Sequence, residues 1–553
     1  MTGDIEMVAG TPVLPRQHVA KPKVRTGCVT CKSRRVKCDE TKPHCFRCIK
    51  FGHKCNGYLK NSDSAPKNQT KTPQLLPLEA PANFISLDRQ PELQRFRSMD
   101  EFRYFESYCN NTARHLAGYY DPVLWNRIIL QASEAEACVR HAVIAIGALE
   151  MTWLRTGKSK SKEQRQGASG ATSKQMAASK ERRVFALQQY SKAIRCLRET
   201  DNLATSDLRT TLVASILIIC FETYHGNFEL AGRQIYTAMQ MLEIWTSKQA
   251  YTMSDPLKIS SPAPDIIEDD LIHAFIRLDL QAMSNNEDQY SMTEHFRLKD
   301  AADAVVESLP KEFMNITEAR NYFNIIARRV VHFGRLLEPA APIPSAGQRP
   351  RLSHHDILAA HTSYVAEVEK WMSAFMPLFI RTRSPENQHF LAGTTLRLNY
   401  LAIYTKLVHF LDKDESLFDN EIVNYREMVN LAKILLEGDD SIFAFDLQII
   451  WSMDIVAMKC RDPLLRREAI RLLISKPRRE GVLDSLLTAK VHLWLVGIEE
   501  EGMRDGIVPE ESRVRNFGMK LDLANRVANV SCEKPMAVNG ITGLRRLQTT
   551  LTW

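Results

Sequence analysis

Six cysteines at a doubled spacing near the start of the chain, basic charge concentrated around them and about 460 residues of helical patterning behind them predict a two-part protein. The expected fold class is a small metal-stabilised module followed by a large all-α domain. The cysteines are Cys28, Cys31 and Cys38, then, after six intervening residues, Cys45, Cys48 and Cys55 with the same internal spacing. Each half reads C-x2-C-x6-C. A CxxC pair sets two sulfurs on one turn, close enough to share a tetrahedral zinc ion at a Zn–S distance of ~2.3 Å. Six thiolates cannot fill two separate four-ligand sites, but they do fill two if a pair of sulfurs bridges both metals. Two zinc ions are then four-coordinate and closed to water, a structural arrangement that generates no nucleophilic hydroxide.

Other uses of these cysteines fit less well. A disulfide framework needs an oxidising compartment, and residues 1–20 contain no apolar stretch of the secretory kind. An eight-ligand cross-brace would recruit His44 and His53, but His44 abuts Cys45 and the gaps between paired ligands are too short. Cys109, Cys138, Cys196, Cys220, Cys460 and Cys532 are scattered singly among apolar residues and read as buried free thiols.

Charge supports a partner for the head. From Arg16 to Lys60 thirteen Lys and Arg stand against Asp39 and Glu40, a net +11, whereas the whole chain carries +8. The rest is therefore slightly acidic, at −3, and the pI near 8.8 describes a basic head on a different body. Such a patch neutralises nucleic-acid phosphates with release of counterions, giving salt-dependent binding without sequence preference.

The segment CVTCKSRRVKCDETKPHCFRCIKFGHKC, Cys28 to Cys55, resembles the fungal binuclear zinc-cluster transcription factors in all six cysteines, in the basic run Arg34, Arg35 and Lys37, in Asp39 and in Pro43. Ser33 departs from it, standing where many members have a basic or apolar residue. The resemblance implies a zinc-cluster module over residues 25–60 holding two zinc ions, with Cys28 and Cys45 as bridging sulfurs and Cys31, Cys38, Cys48 and Cys55 as terminal ligands. It implies a first helix that enters the major groove of double-stranded DNA and reads a CGG-type triplet, chiefly through Arg35. Arginine suits that task because its fork can take O6 and N7 of guanine together, worth ~1–3 kcal/mol of discrimination. Lys32 to Lys37 fit a short helix held by metal at each end. Of the candidate DNA-binding residues Lys32, Arg34, Arg35, Lys37, Lys42 and Lys50, the residues Arg34, Lys37, Lys42 and Lys50 are expected on phosphates, which position without specifying.

Residues 1–24 read as a disordered basic arm whose Arg16, Lys21 and Lys23, with the adjoining Arg25, suit backbone contact or nuclear import. A module of roughly thirty residues has too little core to fold alone, so metal binding and folding should be one event. Residues 61–92 form a linker, with Pro66, Pro73, Pro77, Pro81 and Pro91 too close for a helix. Leu75, Leu76, Leu78 and Leu87 show no sustained heptad register, so a homodimer would have to pair elsewhere and monomeric binding to one half-site stays open.

Residues 93–553 read as all-helical. Ser98 to Glu101 and Ser133 to Glu136 are capping boxes, and Asp121-Pro122 marks another helix start. Thr211 to Phe221 is far shorter than the ~20 residues of a membrane span and reads as a core helix. The stretches from His115 to Leu149, Phe221 to Asn227 and Lys459 to Ser485 resemble the helical regulatory domain that accompanies fungal zinc clusters. That likeness implies control of activity by co-regulators or a small-molecule effector. Residues 156–182, rich in Lys, Ser and Gly, read as a disordered surface loop.

Three further features read plainly. Leu411 to Glu421 is an interhelical turn, His354 and His355 are a solvated helix start, and Arg466, Arg467, Arg478 and Arg479 form a solvated helix face. Trp125, Tyr224, Trp245 and Trp494 read as packing residues. An enzyme is not expected, because the chain has no phosphate-binding glycine loop, HExxH or nucleophile elbow. The expected function is therefore nuclear, sequence-specific regulation of RNA polymerase II genes in nutrient use or secondary metabolism. The alternative is a zinc-dependent protein-interaction adaptor without DNA specificity.

Overall fold

The computed structural model describes residues 26–58, 95–120, 122–163, 169–201, 208–249, 261–284, 290–337, 352–438, 441–522, 526–538 and 541–553. The basic arm and the linker lie outside the described residues, as does Asp121. The chain divides into two compact units, Met1–Asp88 and Arg89–Trp553.

In the first unit two five-residue helices, α1 (Val29–Ser33) and α2 (Phe46–Lys50), pack around the cysteines themselves. Cys28 and Cys45 are their N-caps, and each sulfur accepts the backbone N–H three residues on, from Cys31 at 3.4 Å and from Cys48 at 3.3 Å. The expected helix over Lys32 to Lys37 is corrected: α1 starts earlier and stops at Ser33. The cause is a closing turn in which Arg35 N–H donates to the Lys32 carbonyl and Val36 N–H to the Cys31 carbonyl, with Arg35 at φ 53°. The end of α2 repeats this turn, Gly52 N–H to Ile49 and His53 N–H to Cys48, with Gly52 at φ 69°.

The second unit is mostly helical. Its first core gathers the helices between Met99 and Ser284 around Val139, Val143, Ile146, Leu217, Phe221 and Phe275. The helix Leu208–His225 is buried on every side from Leu212 to Tyr224, as its apolar run predicts. It ends at Gly226, whose φ of +99° an L side chain rarely adopts, and Asn227 then caps the next helix at Leu230 N–H. A second core spans Leu280 to Val496 around Trp371, Phe375, Leu401, Ile450 and Met453. Phe443 and Phe445 belong to the first core, stacking on Tyr224 at 3.8 Å and meeting Trp125 edge-on at 4.9 Å.

Several expected elements take another form. Residues 156–182 are not an open loop: helices run Ala137–Glu163 and Ser169–Asp201, and only 164–168 lie outside the described residues. Ala, Lys, Gln and Arg are good helix formers whatever the apolar period, which explains the difference. Ser98 caps its helix through Glu101 N–H, but the Glu101 carboxylate reaches back to Arg97 N–H. The Ser133 box does not form, because Ser133 lies inside a preceding helix and donates to Leu130. The helical body also ends in a three-stranded antiparallel sheet, Arg515–Asp522, Val527–Val538 and Ile541–Thr552, paired in chain order. Its inner face, Ala528, Val530 and Cys532, packs with Leu487, Val491 and Leu495 of the helix Ser485–Glu500.

The supposed solvated arginine face is another correction. Arg466 is 1% exposed and pairs with Glu499, while the buried Arg478 and Arg479 pair with Glu480 and Asp484; only Arg467 lies on the surface. Charges enter a core when partners enter with them. His354 and His355 do form the exposed first turn of a helix, His354–Thr382, whose later turns enter the second core, and Glu415–Glu421 is a 3-10 turn between helices. Trp125 and Tyr224 are buried, and Trp245 and Trp494 half-buried. Cys138, Cys220, Cys460 and Cys532 are buried free thiols, and Cys109 and Cys196 are half-buried.

Candidate metal centre and nucleic-acid interface

The two halves of the head are built alike. Cys38 Sγ accepts the N–H of Cys28 at 3.4 Å, and Cys55 Sγ accepts the N–H of Cys45 at 3.3 Å. The sulfur pairs Cys28–Cys45 and Cys31–Cys45 lie 3.6 Å apart, Cys31–Cys48 3.7 Å and Cys28–Cys48 3.9 Å. A zinc tetrahedron with Zn–S of ~2.3 Å has an edge of about 3.8 Å, so the spacings of Cys45 from Cys28 and Cys31 and of Cys28 from Cys48 fit zinc-thiolate geometry. Cys28 interacts with Cys31, Cys45 and Cys55, with Cys38 and, at 3.9 Å, with Cys48, so its sulfur faces all the others. Cys45 is nearly as central, with Cys31, Cys48 and Cys55 as neighbours and Cys38 within 4.8 Å. His44 and His53 are exposed and join no metal-holding group among the described residues.

Electrostatics favour a metal here. Burial pushes the thiols of Cys28, Cys31 and Cys45 up to about 12, so clustered thiolates need a cation to form. Burial also works upward on Cys38, but the N–H groups of Cys28 and Glu40 and the Tyr58 hydroxyl outweigh it and bring the thiol down to about 6. Cys55 is brought to about 6 by the N–H groups of Cys45 and Gly57. The six cysteines are thus arranged for metal, and the cluster holds two zinc ions, which supply structure rather than hydrolytic chemistry.

Residues outside the cysteine ruler tie the halves together. Asp39 reaches the start of α2, accepting Arg47 N–H at 2.5 Å and, on its other oxygen, Thr41 N–H at 3.2 Å. Arg47 donates through Nη1 to the Lys37 carbonyl at 3.1 Å. Thr30 accepts Asn56 N–H at 3.0 Å and donates to the Lys54 carbonyl at 3.1 Å, locking the end of the second half onto α1. Sequence reasoning gave Arg47 and Thr30 no role, since nothing at their positions signals a partner ten or more residues away.

Lys32, Arg34, Arg35 and Lys37 are all exposed along α1 and its closing turn. Lys42 is exposed in the loop between halves, and Lys50 at the end of α2. None of these six cations pairs with an acid among the described residues, because Asp39 is engaged at α2 and Glu40 accepts the Thr26 hydroxyl.

The chain matches the fungal Zn(2)-Cys(6) binuclear cluster domain over residues 26–65 and the fungal specific transcription factor domain over residues 103–295. Among curated proteins it is 27% identical over 233 residues to the aspercryptin biosynthesis cluster-specific transcription regulator atnN of Emericella nidulans, covering 39% of this chain and 34% of that one. It is 50% identical over 46 residues to the transcriptional regulatory protein moc3 of Schizosaccharomyces pombe, covering 8% and 9%. It is 38% identical over 96 residues to the arginine metabolism regulation protein II of Saccharomyces cerevisiae, covering 17% and 11%. The chain thus spans about a third or less of the length of these relatives. No solved structure matches it. The cysteine cluster and the start of the helical body thus match the binuclear cluster domain and the fungal specific transcription factor domain, and the relatives that the chain resembles are named as regulators.

Proposed function

We propose that the protein is a nuclear, sequence-specific regulator of RNA polymerase II genes that reads a CGG-type triplet through Arg35. In this reading Cys28 and Cys45 bridge two zinc ions, Cys31 and Cys38 complete one tetrahedron, and Cys48 and Cys55 complete the other. The central position of the Cys28 and Cys45 sulfurs among the six supports that assignment. The observation that carries the reading of DNA is the backbone of Arg35. It holds a left-handed conformation at φ 53° where its counterpart in the second half is Gly52. An L side chain there costs about 1–2 kcal/mol, and such strain is characteristically kept where a side chain has work to do. The turn leaves the guanidinium exposed at the end of α1, with Lys32, Arg34, Lys37, Lys42 and Lys50 available for phosphates.

The body, residues 93–553, acts as the regulatory domain. Nutrient-use or secondary-metabolite genes are the targets that the relatives' names favour, one regulating aspercryptin biosynthesis and another arginine metabolism. The adaptor alternative draws on Phe46, Ile49 and Phe51, 66%, 60% and 59% exposed around α2. A gel-shift titration against salt separates the two. A DNA reader binds a CGG probe in preference to scrambled DNA and weakens steeply with salt; an adaptor does neither.

A further inference from the structure

The body contains a cavity of about 220 Å³ whose wall comes from three separated segments. Ile422 and Tyr425 lie on the helix Ile422–Glu437, Cys460 and Arg461 on the turn between two helices, and Ile507 and Val508 ahead of the C-terminal sheet. Pockets for drug-sized ligands run to about 300–1,000 Å³, so this one suits a molecule of on the order of ten non-hydrogen atoms.

Two buried polar groups on the wall are left without partners. Tyr425 is 0% exposed, yet its hydroxyl has no hydrogen-bond partner among the described residues. Arg461 is 6% exposed; its Nη atoms serve Glu415, the Lys459 carbonyl and Glu499, while its Nε–H has no partner among them. Buried donors are nearly always satisfied, so two on one cavity wall point to something that accepts from them. The ionic groups here are already matched. Arg513 pairs with Asp419 at 2.6 Å, Arg461 with Glu499 at 2.8 Å, and Asp462 caps Leu464 and Leu465. The unmet need is for oxygen acceptors on an otherwise apolar body, resting on Ile422, Cys460 and Val508.

We propose that this cavity binds a small carbonyl-bearing organic molecule, a ketone or a monocarboxylate, with the Tyr425 hydroxyl and Arg461 Nε–H donating to its oxygen. One wall is well placed to respond. Asp505 and Gly506, at φ 50° and 79°, make a tight turn closed by paired 2.9 Å bonds between Arg504 and Ile507. Arg513 then fastens that segment, donating to the Val508 carbonyl at 3.1 Å and to the Glu415 carbonyl at 2.8 Å. A molecule in the cavity touches both the helical core and the segment leading into the sheet, so its binding stabilises their union.

The test is a thermal-shift titration of the zinc-loaded full chain with isovalerate and with cyclohexanone, using isopentylamine as a probe of similar shape without an oxygen acceptor. The cavity site gives a saturable rise in Tm with at least one acceptor probe, none with the amine, and about tenfold weaker binding in Tyr425→Phe. That variant alone melts no lower than the parent, because the lost hydroxyl has no partner in the protein. No saturable rise with either acceptor probe overturns the proposal, as does an equal rise in Tyr425→Phe or a rise with the amine. A fall of several degrees in the unliganded variant would show a protein partner for the hydroxyl and overturn it too. None of these outcomes depends on DNA binding, so they are separable from the reading of the head.

Discussion

In the proposed reading of DNA, Arg35 carries two opposed demands. As the residue that closes α1 it should be glycine, as Gly52 is in the second half; as a reader of guanine it must be arginine. Two substitutions separate these roles. Arg35→Ala keeps an L residue at the strained position and loses ~1–3 kcal/mol of preference for a CGG probe over scrambled DNA, with a smaller loss of overall affinity. An equal loss on all DNA in gel shifts would reduce Arg35 to a phosphate contact. Arg35→Gly loses the same preference but relieves about 1–2 kcal/mol of backbone strain, so chelator titration should find its zinc held at least as tightly. Looser zinc would mean that the arginine side chain supports the cluster. This strain was legible in principle: Arg35 and Gly52 stand at the same offset from Cys31 and Cys48, so the doubled ruler sets them side by side. Only backbone angles reveal that the offset falls on a left-handed residue.

The elements differ in what holds them. Helices α1 and α2 have five residues each and a core made of cysteines with Val36 and Tyr58 beside them, so zinc is their main source of order. Chelation should abolish the circular dichroism and amide protection of the head while the body melts as before; a head that stays ordered without metal would contradict this. In the body, Glu499 is 0% exposed and pairs with both Arg461 and Arg466, while also accepting Val514 N–H at 2.8 Å at the approach to the sheet. Glu499→Ala strands two buried arginines and should cost about 3–5 kcal/mol in denaturant unfolding, whereas a surface change such as Arg467→Ala stays within about 0.5 kcal/mol. A mild effect of Glu499→Ala would place those charges in contact with water. One-dimensional reading took the arginines for a solvated face because their carboxylates lie elsewhere in the chain: Glu480 and Asp484 a few residues on, Glu499 on the next helix. It passed over the C-terminal strands because they follow a long run of helices, although β-branched and alternating residues from Val527 to Thr552 carry the signal.

At the scale of the molecule, the part fixed by metal geometry was the most readable, since ligand spacing is a rigid demand on sequence and the cysteines meet it without reference to anything distant. The helical body was readable as a class through caps and apolar period, but its cavity and buried ion pairs arise from residues brought together by packing. The division of charge has a measurable consequence. If five lysines and arginines of one head meet phosphates, the logarithm of the DNA affinity falls against the logarithm of salt with a slope of about −4.5, and Lys50→Ala removes roughly one unit; a flat salt dependence would oppose the account. Beneath all of this lies the shared-thiolate cluster, and counting its metal tests it most directly. Elemental analysis of the purified full chain should find two zinc ions per molecule, and one ion, or none, would contradict it.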